Sequence, residues 1–250
     1  MNTDALIMHS FYQQMIEDTK PFLKGVKVSD KYIVDKNEND MSDSEHYIRY
    51  TSFYSVHLFG LCCQLERAVK LLSNFRDDNK NEIGRGYHLS YNIENYFIRL
   101  DSLYDRILQL VNAIFNFGFD DSKVKKDKVL KKISEVDGYS ELMNSLYELN
   151  NVLKKYSDEK RNIIVHRYSY FDKELDMIEM FYDPIYSKII LQNTDNVENF
   201  KQIRKERLSF YLRKKKKEFN EINEECFEKL FLILNEIEKE YTLKKQELSF

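Results

Sequence analysis

The chain has 250 residues, and 42% of them are hydrophobic, which is enough for one sizeable core and gives no sign of two independent domains. Its formal net charge of −3 excludes a general attraction to nucleic acid, so any contact with RNA has to come from a local basic patch. The three cysteines exclude a disulfide framework, and no apolar run is long enough to cross a bilayer, so we expect a cytoplasmic protein without a membrane span.

Residues that interrupt helices are rare in this sequence. It contains 6 glycines and 2 prolines, whereas Leu, Lys, Glu, Ile and Asn are abundant. This composition favours long helices over a sheet protein with many turns, so we predict an all-α fold.

The N-terminal region differs in pattern from the rest of the chain. Thr3 is a suitable cap for one short amphipathic helix, and Pro21 is expected to end it. The polar, acidic stretch over 24–44 predicts an exposed loop. We therefore expect a helix and loop over 1–42, followed by a helical domain over 43–250.

Apolar residues at helical spacing predict long helices in that domain. Ser42 and Glu45 form a capping box at the start of the first helix, which continues to Leu72. The other helices are predicted near 90–116, where the stripe is clearest, and at 139–155. From Val197 to the end, the pattern predicts one long helix or two shorter ones.

Three connections between these helices have their own patterns. The Gly84-Arg85-Gly86 sequence ends a polar segment and indicates a turn far more strongly than a phosphate-binding loop. The basic segment 123–132 predicts a short surface helix outside the core. The stretch from Tyr170 to Ser187 contains Pro184 and roughly alternating apolar residues, so we expect a loop or small hairpin.

Two charged features have more than one interpretation. Glu94, Asp101 and Asp105 lie close to one line on the second bundle helix, and we favour a solvated face over an active cleft. The basic run from Lys201 to Lys217 either follows an RNA backbone or forms a solvated surface paired with neighbouring acids, and the sequence favours neither.

The segment from Arg161 to His166 is expected to begin a helix. Ser157 is a suitable cap, and the acidic residues Asp158 and Glu159 suit the positive end of a helix dipole. The apolar residues Ile163–Val165 are expected to fill the core behind the polar ones.

The polar residues of this segment are suited to handling a phosphodiester. Asn162 and His166 lie one helical turn apart, so the amide can hydrogen-bond the imidazole and fix its tautomer. Arg161 can reach the same space because its side chain is long and lies near the helix start.

This pattern resembles the signature of the HEPN superfamily, in which an Arg, usually followed by a polar residue, precedes a His by a few positions. Here Arg161 is followed by Asn162, and four residues separate Arg161 from His166. The resemblance implies an antiparallel up-and-down helical bundle over 43–250, with the motif near the start of a late helix and a small loop or hairpin inserted after it.

The resemblance also implies an activity, namely metal-independent cleavage of RNA without a cofactor. Arg161, Asn162 and His166 would be catalytic, and Arg167, Tyr168 and Tyr170 would contact RNA at the rim, although packing is the safer interpretation of a tyrosine here. HEPN nucleases act as homodimers, often in toxin–antitoxin, abortive-infection or other anti-phage systems. Expected partners are thus RNA, a second copy of the chain, and an antitoxin or defence-system protein.

Two alternatives remain open at this point. One is a non-catalytic HEPN-like module that binds RNA or a nucleotide, or that serves as a dimerising partner. The other is a plain helical scaffold with a chance motif, which predicts that His166 is buried.

Overall fold

The computed structural model describes residues 1–24, 27–28, 33–34, 41–75, 84–166, 170, 172–194 and 196–248, with the backbone alone for 23–24, 27–28, 33–34 and 158. The predicted all-α fold is confirmed, because α-helices account for most of the described residues. The helices are α1 (Thr3–Ile7), α2 (Ser10–Lys24), α3 (Asp43–Leu71), α4 (Arg85–Ile114), α5 (Lys126–Ser134), α6 (Ser140–Leu153), α7 (Glu159–His166), α8 (Lys173–Tyr182), α9 (Pro184–Gln192) and α10 (Val197–Glu247).

The start of the chain is helical, as predicted, but its details differ. Asn2 caps α1 by accepting from the Ala5 amide at 3.1 Å, and Thr3 is already inside the helix. Pro21 lies within α2 and does not end it. Most of the predicted loop lies outside the described residues, apart from a two-residue antiparallel pair formed by β1 (Lys27–Val28) and β2 (Ile33–Val34).

The predicted capping box at the start of α3 is confirmed. The Ser42 amide donates to a Glu45 carboxylate oxygen at 2.9 Å, and the Glu45 amide donates to the Ser42 hydroxyl at 3.3 Å. Two N–H groups at the helix end are satisfied in this way, which sets where α3 begins.

The apolar stripes that predicted α3, α4, α6 and α10 form the core. Full burial of each such side chain contributes roughly 1.5–3 kcal/mol, so these stripes dominate the stability. On α4 the whole predicted stripe is buried, namely Phe97, Leu100, Tyr104, Ile107, Val111 and Ile114.

Two predictions about the connections are wrong. Helix α5 belongs to the core, although it is rich in lysine. Its apolar residues Val129, Leu130 and Ile133 share one face and are buried. The expected loop or hairpin after Tyr170 consists instead of helices α8 and α9. Pro184 occupies the first position of α9, where proline is tolerated because that N–H needs no helical partner.

The chain divides into two compact units. The first contains Met1–Cys63, Ser102–Val152 and Glu225–Phe250, and the second contains Gln64–Asp101 and Leu153–Glu224. In the first unit, the N-terminal helices pack on the end of α10, where Tyr241 donates to Asp18 at 2.8 Å. A domain boundary at residue 42 stays a prediction.

The second unit contains the Arg161–His166 segment. In its core, the Tyr96 ring of α4 stacks on the Phe219 ring of α10 with centroids 3.7 Å apart. Gly86 allows α8 to approach the start of α4, because a Cβ there would lie 2.5 Å from the Glu179 Cα. Across the described ranges, no helix is both long and apolar enough to cross a membrane.

Candidate functional site

The Arg161–His166 segment lies on α7, which continues from α6 without a break. The link is one π-helical turn at Lys154–Asp158. Ser157 is buried in this turn, and its hydroxyl donates to the Leu153 carbonyl at 2.8 Å. The prediction that Ser157 caps a new helix is therefore wrong, because a continuing helix needs no N-cap. Such wide turns occur frequently at functional sites.

The apolar residues of α7 do not fill the core. None of its residues is buried, Ile163 and Ile164 are half-buried, and Val165 is 49% exposed. The prediction that Ile163–Val165 back the site with a core is therefore wrong. Apolar surface instead lies next to the polar residues of the motif.

Arg161 is held by two neighbours through different edges of its guanidinium. Its Nε lies 3.3 Å from an Asp101 carboxylate oxygen on α4, and its Nη1 donates to the Asn162 side-chain oxygen at 3.1 Å. These contacts use only part of the five N–H donors of the fork. The arrangement fixes the direction of a cation that is still 36% exposed.

His166 is the last residue of α7, and its side chain is exposed. This contradicts the scaffold alternative, which requires a buried histidine. Asn162, one turn earlier, is also exposed. The predicted hydrogen bond between Asn162 and His166 stays a prediction.

Tyr170 is anchored in the second unit. Its hydroxyl accepts from the Lys215 ammonium at 3.0 Å, and its amide donates to the Glu94 carboxylate at 2.7 Å. Burial raises the pKa of Tyr170 above its ordinary value, although the Lys215 ammonium opposes this. These contacts favour packing over RNA stacking for Tyr170, and Arg167 and Tyr168 lie outside the described residues.

Lys215 on α10 is the centre of a cluster of polar side chains that also contains Tyr170, Asp172 and Glu218. Its Nζ lies 2.9 Å from Glu218 and 3.3 Å from Asp172, and it is only 4% exposed. Burial disfavours the charged ammonium, but its contacts with Tyr170 and Glu218 outweigh burial and hold the pKa of Lys215 above its ordinary value. Burial also favours a neutral Asp172, but Lys215 outweighs this and lowers the pKa of Asp172.

Other members of the basic run on α10 pair with acids. Lys201 lies 2.7 Å from Glu198, and Lys214 lies 2.8 Å from Glu174. These pairs favour the solvated-surface interpretation for the lysines concerned. RNA contact by exposed members such as Arg213 stays a prediction.

Glu94 and Asp101 were expected to face solvent, but both contact the motif segment or the residues that follow it. They are seven residues apart on α4, which places them on one face, and that face meets the motif segment. The spacing was a usable signal, and the favoured solvated interpretation is wrong for these two residues. Asp172 and Lys215 had no such signal, because residues 43 positions apart come together only in the folded chain.

The helical fold and the Arg161, Asn162 and His166 motif are those expected of a HEPN-type domain. A family model described as HEPN_Cthe2314-like HEPN matches residues 62–238, which include the whole motif, so the chain belongs to this HEPN family. Comparisons with curated proteins and with solved structures gave no match. Within the described ranges, no three His, Cys, Asp or Glu side chains are grouped so as to hold a metal ion.

Proposed function

We propose that this protein is a metal-independent endoribonuclease with Arg161, Asn162 and His166 at its active site. The observation that carries the proposal is their placement on one surface helix, with His166 exposed and Arg161 oriented by Asp101, in a chain that belongs to a HEPN family. HEPN domains are often ribonucleases, and both the Arg and the His of the motif are present.

The proposed chemistry uses the nucleophile that RNA itself carries. The 2′-hydroxyl attacks the adjacent phosphorus, a base removes its proton, and an acid protonates the departing 5′-oxygen. An imidazole has an unperturbed pKa of about 6.5 and can serve either role near neutral pH. The Arg161 fork would stabilise the charge on the phosphorane oxygens, and Asn162 would orient the phosphate or the imidazole. The products would be a 2′,3′-cyclic phosphate and a 5′-hydroxyl.

The proposed enzyme is a homodimer, because the reaction needs two proton carriers and each motif supplies one histidine. The exposed Val165 and the half-buried Ile163 and Ile164 lie beside the motif residues on α7, which supports a contact between two α7 helices. A two-fold axis there would place both motifs in one cleft.

The biological role follows by analogy with other HEPN proteins. We propose a cytoplasmic toxin or anti-phage effector that is restrained by an antitoxin or another defence-system protein. RNA is then its substrate.

The test is incubation of the purified protein with total RNA in EDTA, beside Arg161→Ala and His166→Ala. We expect the wild type to release fragments with 2′,3′-cyclic phosphate ends and to leave DNA intact, because DNA lacks the nucleophile. Each variant should lose at least about 100-fold in rate, in line with the loss of a general acid–base or of a transition-state cation.

Matched controls are His46→Ala and Arg67→Ala, which remove exposed residues of the same types on α3. Both should keep the wild-type rate. If the wild type binds RNA or a nucleotide but never cleaves, the non-catalytic module is the better description. Cleavage that survives both motif variants would place the activity elsewhere.

A further inference from the structure

Helix α7 must be held in place by interactions other than packing in the hydrophobic core. Because none of its eight residues is buried, apolar packing alone does not fix where this helix lies. A catalytic group has to stay within a fraction of an ångström of its productive position. Polar contacts on both sides of α7 provide this constraint.

Contacts from α4 hold both ends of the motif segment. Asp101 pairs with Arg161 in the first turn of α7, and Glu94 accepts from the backbone amide of Tyr170, four residues after His166. The Glu94 contact is a charge-assisted hydrogen bond of 2.7 Å, so the backbone beyond the helix is tied to α4.

Contacts from α10 hold the same segment from another helix. Glu218 lies 3.5 Å from the Lys160 ammonium, directly before Arg161, and the Lys160 ammonium also lies 4.4 Å from the centre of the Phe97 ring. Glu218 in turn pairs with Lys215, which donates to the Tyr170 hydroxyl. One pair of side chains on α10 thus links the residues before and after the motif.

The Lys215 side chain is well suited to this task. An ammonium has three N–H donors, and here three oxygens surround it, from Tyr170, Glu218 and Asp172. Tyr211 adds a hydrogen bond of 3.3 Å to Asp172 and so holds that carboxylate in place. A buried cation with all partners present resists displacement, because any movement leaves a charge unpaired.

We infer that Lys215 is a positioning residue for the proposed ribonuclease site. Through Glu218 it holds Lys160, directly before Arg161, and it also holds Tyr170, four residues after His166. Both contacts constrain the positions of Arg161 and His166. Lys215 does not contact RNA, since it is almost fully buried. The consequence for catalysis rests on the proposed function, but the consequence for the position of the segment does not.

The experiment compares Lys215→Met with Lys217→Met. Both variants replace an ammonium by an apolar chain of similar length, but the Lys217 side chain is 77% exposed and pairs only loosely with Glu221 at 3.7 Å. In Lys215→Met we expect the Tyr170 amide to exchange at least about 10-fold faster by NMR, while amides in the middle of α4 keep their protection. The imidazole signals of His166 should shift.

The same variants are compared in RNA cleavage. We expect Lys215→Met to lower kcat by about 10-fold or more with KM within about two-fold of wild type, because a misplaced catalytic group slows chemistry without weakening binding. Lys217→Met should match wild type in exchange, in the His166 signals and in kcat.

Tyr170→Phe provides a second, milder variant in case Lys215→Met does not fold. It removes only the oxygen that accepts from Lys215 and should change the Tyr170 amide exchange and kcat in the same direction by a smaller factor. An unchanged Tyr170 amide in a folded variant would overturn the inference, as would a raised KM with unchanged kcat, which indicates a direct RNA contact. If wild type does not cleave RNA, the proposed function fails while the exchange measurement still decides the role of Lys215.

Discussion

The guanidinium of Arg161 sits on a long, flexible side chain, and Asp101 restricts where it points. Each side chain of the pair is 36% exposed, so solvent screens it and its contribution to stability is small, about 0–1 kcal/mol. The pair matters for orientation. A guanidinium that already points in one direction loses less conformational entropy when it binds a phosphate. Asp101 is thus a positioning residue for the proposed site.

Asp101→Asn removes the charge and keeps the shape. We expect kcat for RNA cleavage to fall about 10-fold, because Arg161 then samples other rotamers, while the melting temperature stays within a few degrees. Asp105→Asn is the matched control, since Asp105 is exposed on the same helix. Equal rates for both variants and wild type would refute the role given to Asp101.

Helix α10 holds the segment that follows α7 through ion pairs whose strength depends on pH. The pKa of Asp172 is lowered in the folded state, so its contribution to stability is present above its unfolded pKa of about 3.9 and is lost as pH falls through the folded value. The pKa of Lys215 is raised, so its contribution is complete below its unfolded pKa of about 10.4 and is lost as pH rises through the folded value. Both contributions are complete near neutral pH.

The free energy of unfolding of wild type should therefore exceed that of Lys215→Met most strongly near pH 7. Removing one partner of a buried ion pair costs about 3 kcal/mol, and the difference should shrink as pH falls through the lowered pKa of Asp172. Urea denaturation at several pH values measures this, with Lys217→Met expected to follow wild type throughout. A difference that does not vary with pH would show that Lys215 stabilises through packing.

The buried faces of helices with a continuous apolar stripe could be predicted from sequence, and the packing of a helix held by polar contacts could not. Every residue of the predicted apolar stripe of α4 is buried, as its helical spacing indicates; Leu100 is one example. Helix α7 has three consecutive apolar residues, and local pattern cannot tell whether the core or another surface covers them. The π-helical turn that replaces the predicted cap at Ser157 likewise leaves no local signature in the sequence.

In the candidate site, too, local patterns could be recognised from sequence, whereas contacts between distant residues could not. Arg161, Asn162 and His166 could be proposed from sequence because they form a local motif on one helix. The acids on α4 were visible as a line at helical spacing, but their orientation toward the motif required the fold. Lys215 looked like one cation in a basic run, and only the tertiary structure separates it from its exposed neighbours.

For the whole molecule, the apolar surface of α7 predicts an oligomeric state. Val165 lies one residue before His166, and its exposure would cost less if a second copy covered it. A formal net charge of −3 does not oppose self-association strongly. The proposed dimer would bury this surface at the point where two histidines are needed.

Val165→Asp should convert the proposed dimer to a monomer and abolish the proposed RNA cleavage, because it would place a charge in an interface that excludes water. Since no residue of α7 is buried, folding should be retained, with circular dichroism and melting temperature close to wild type. Size-exclusion chromatography with light scattering measures the mass, and Val56→Asp, at a 59% exposed valine of α3, is the control that should keep both dimer and activity. A Val165→Asp protein that remains dimeric would place the interface elsewhere, and a monomer with full activity would show that one motif is sufficient.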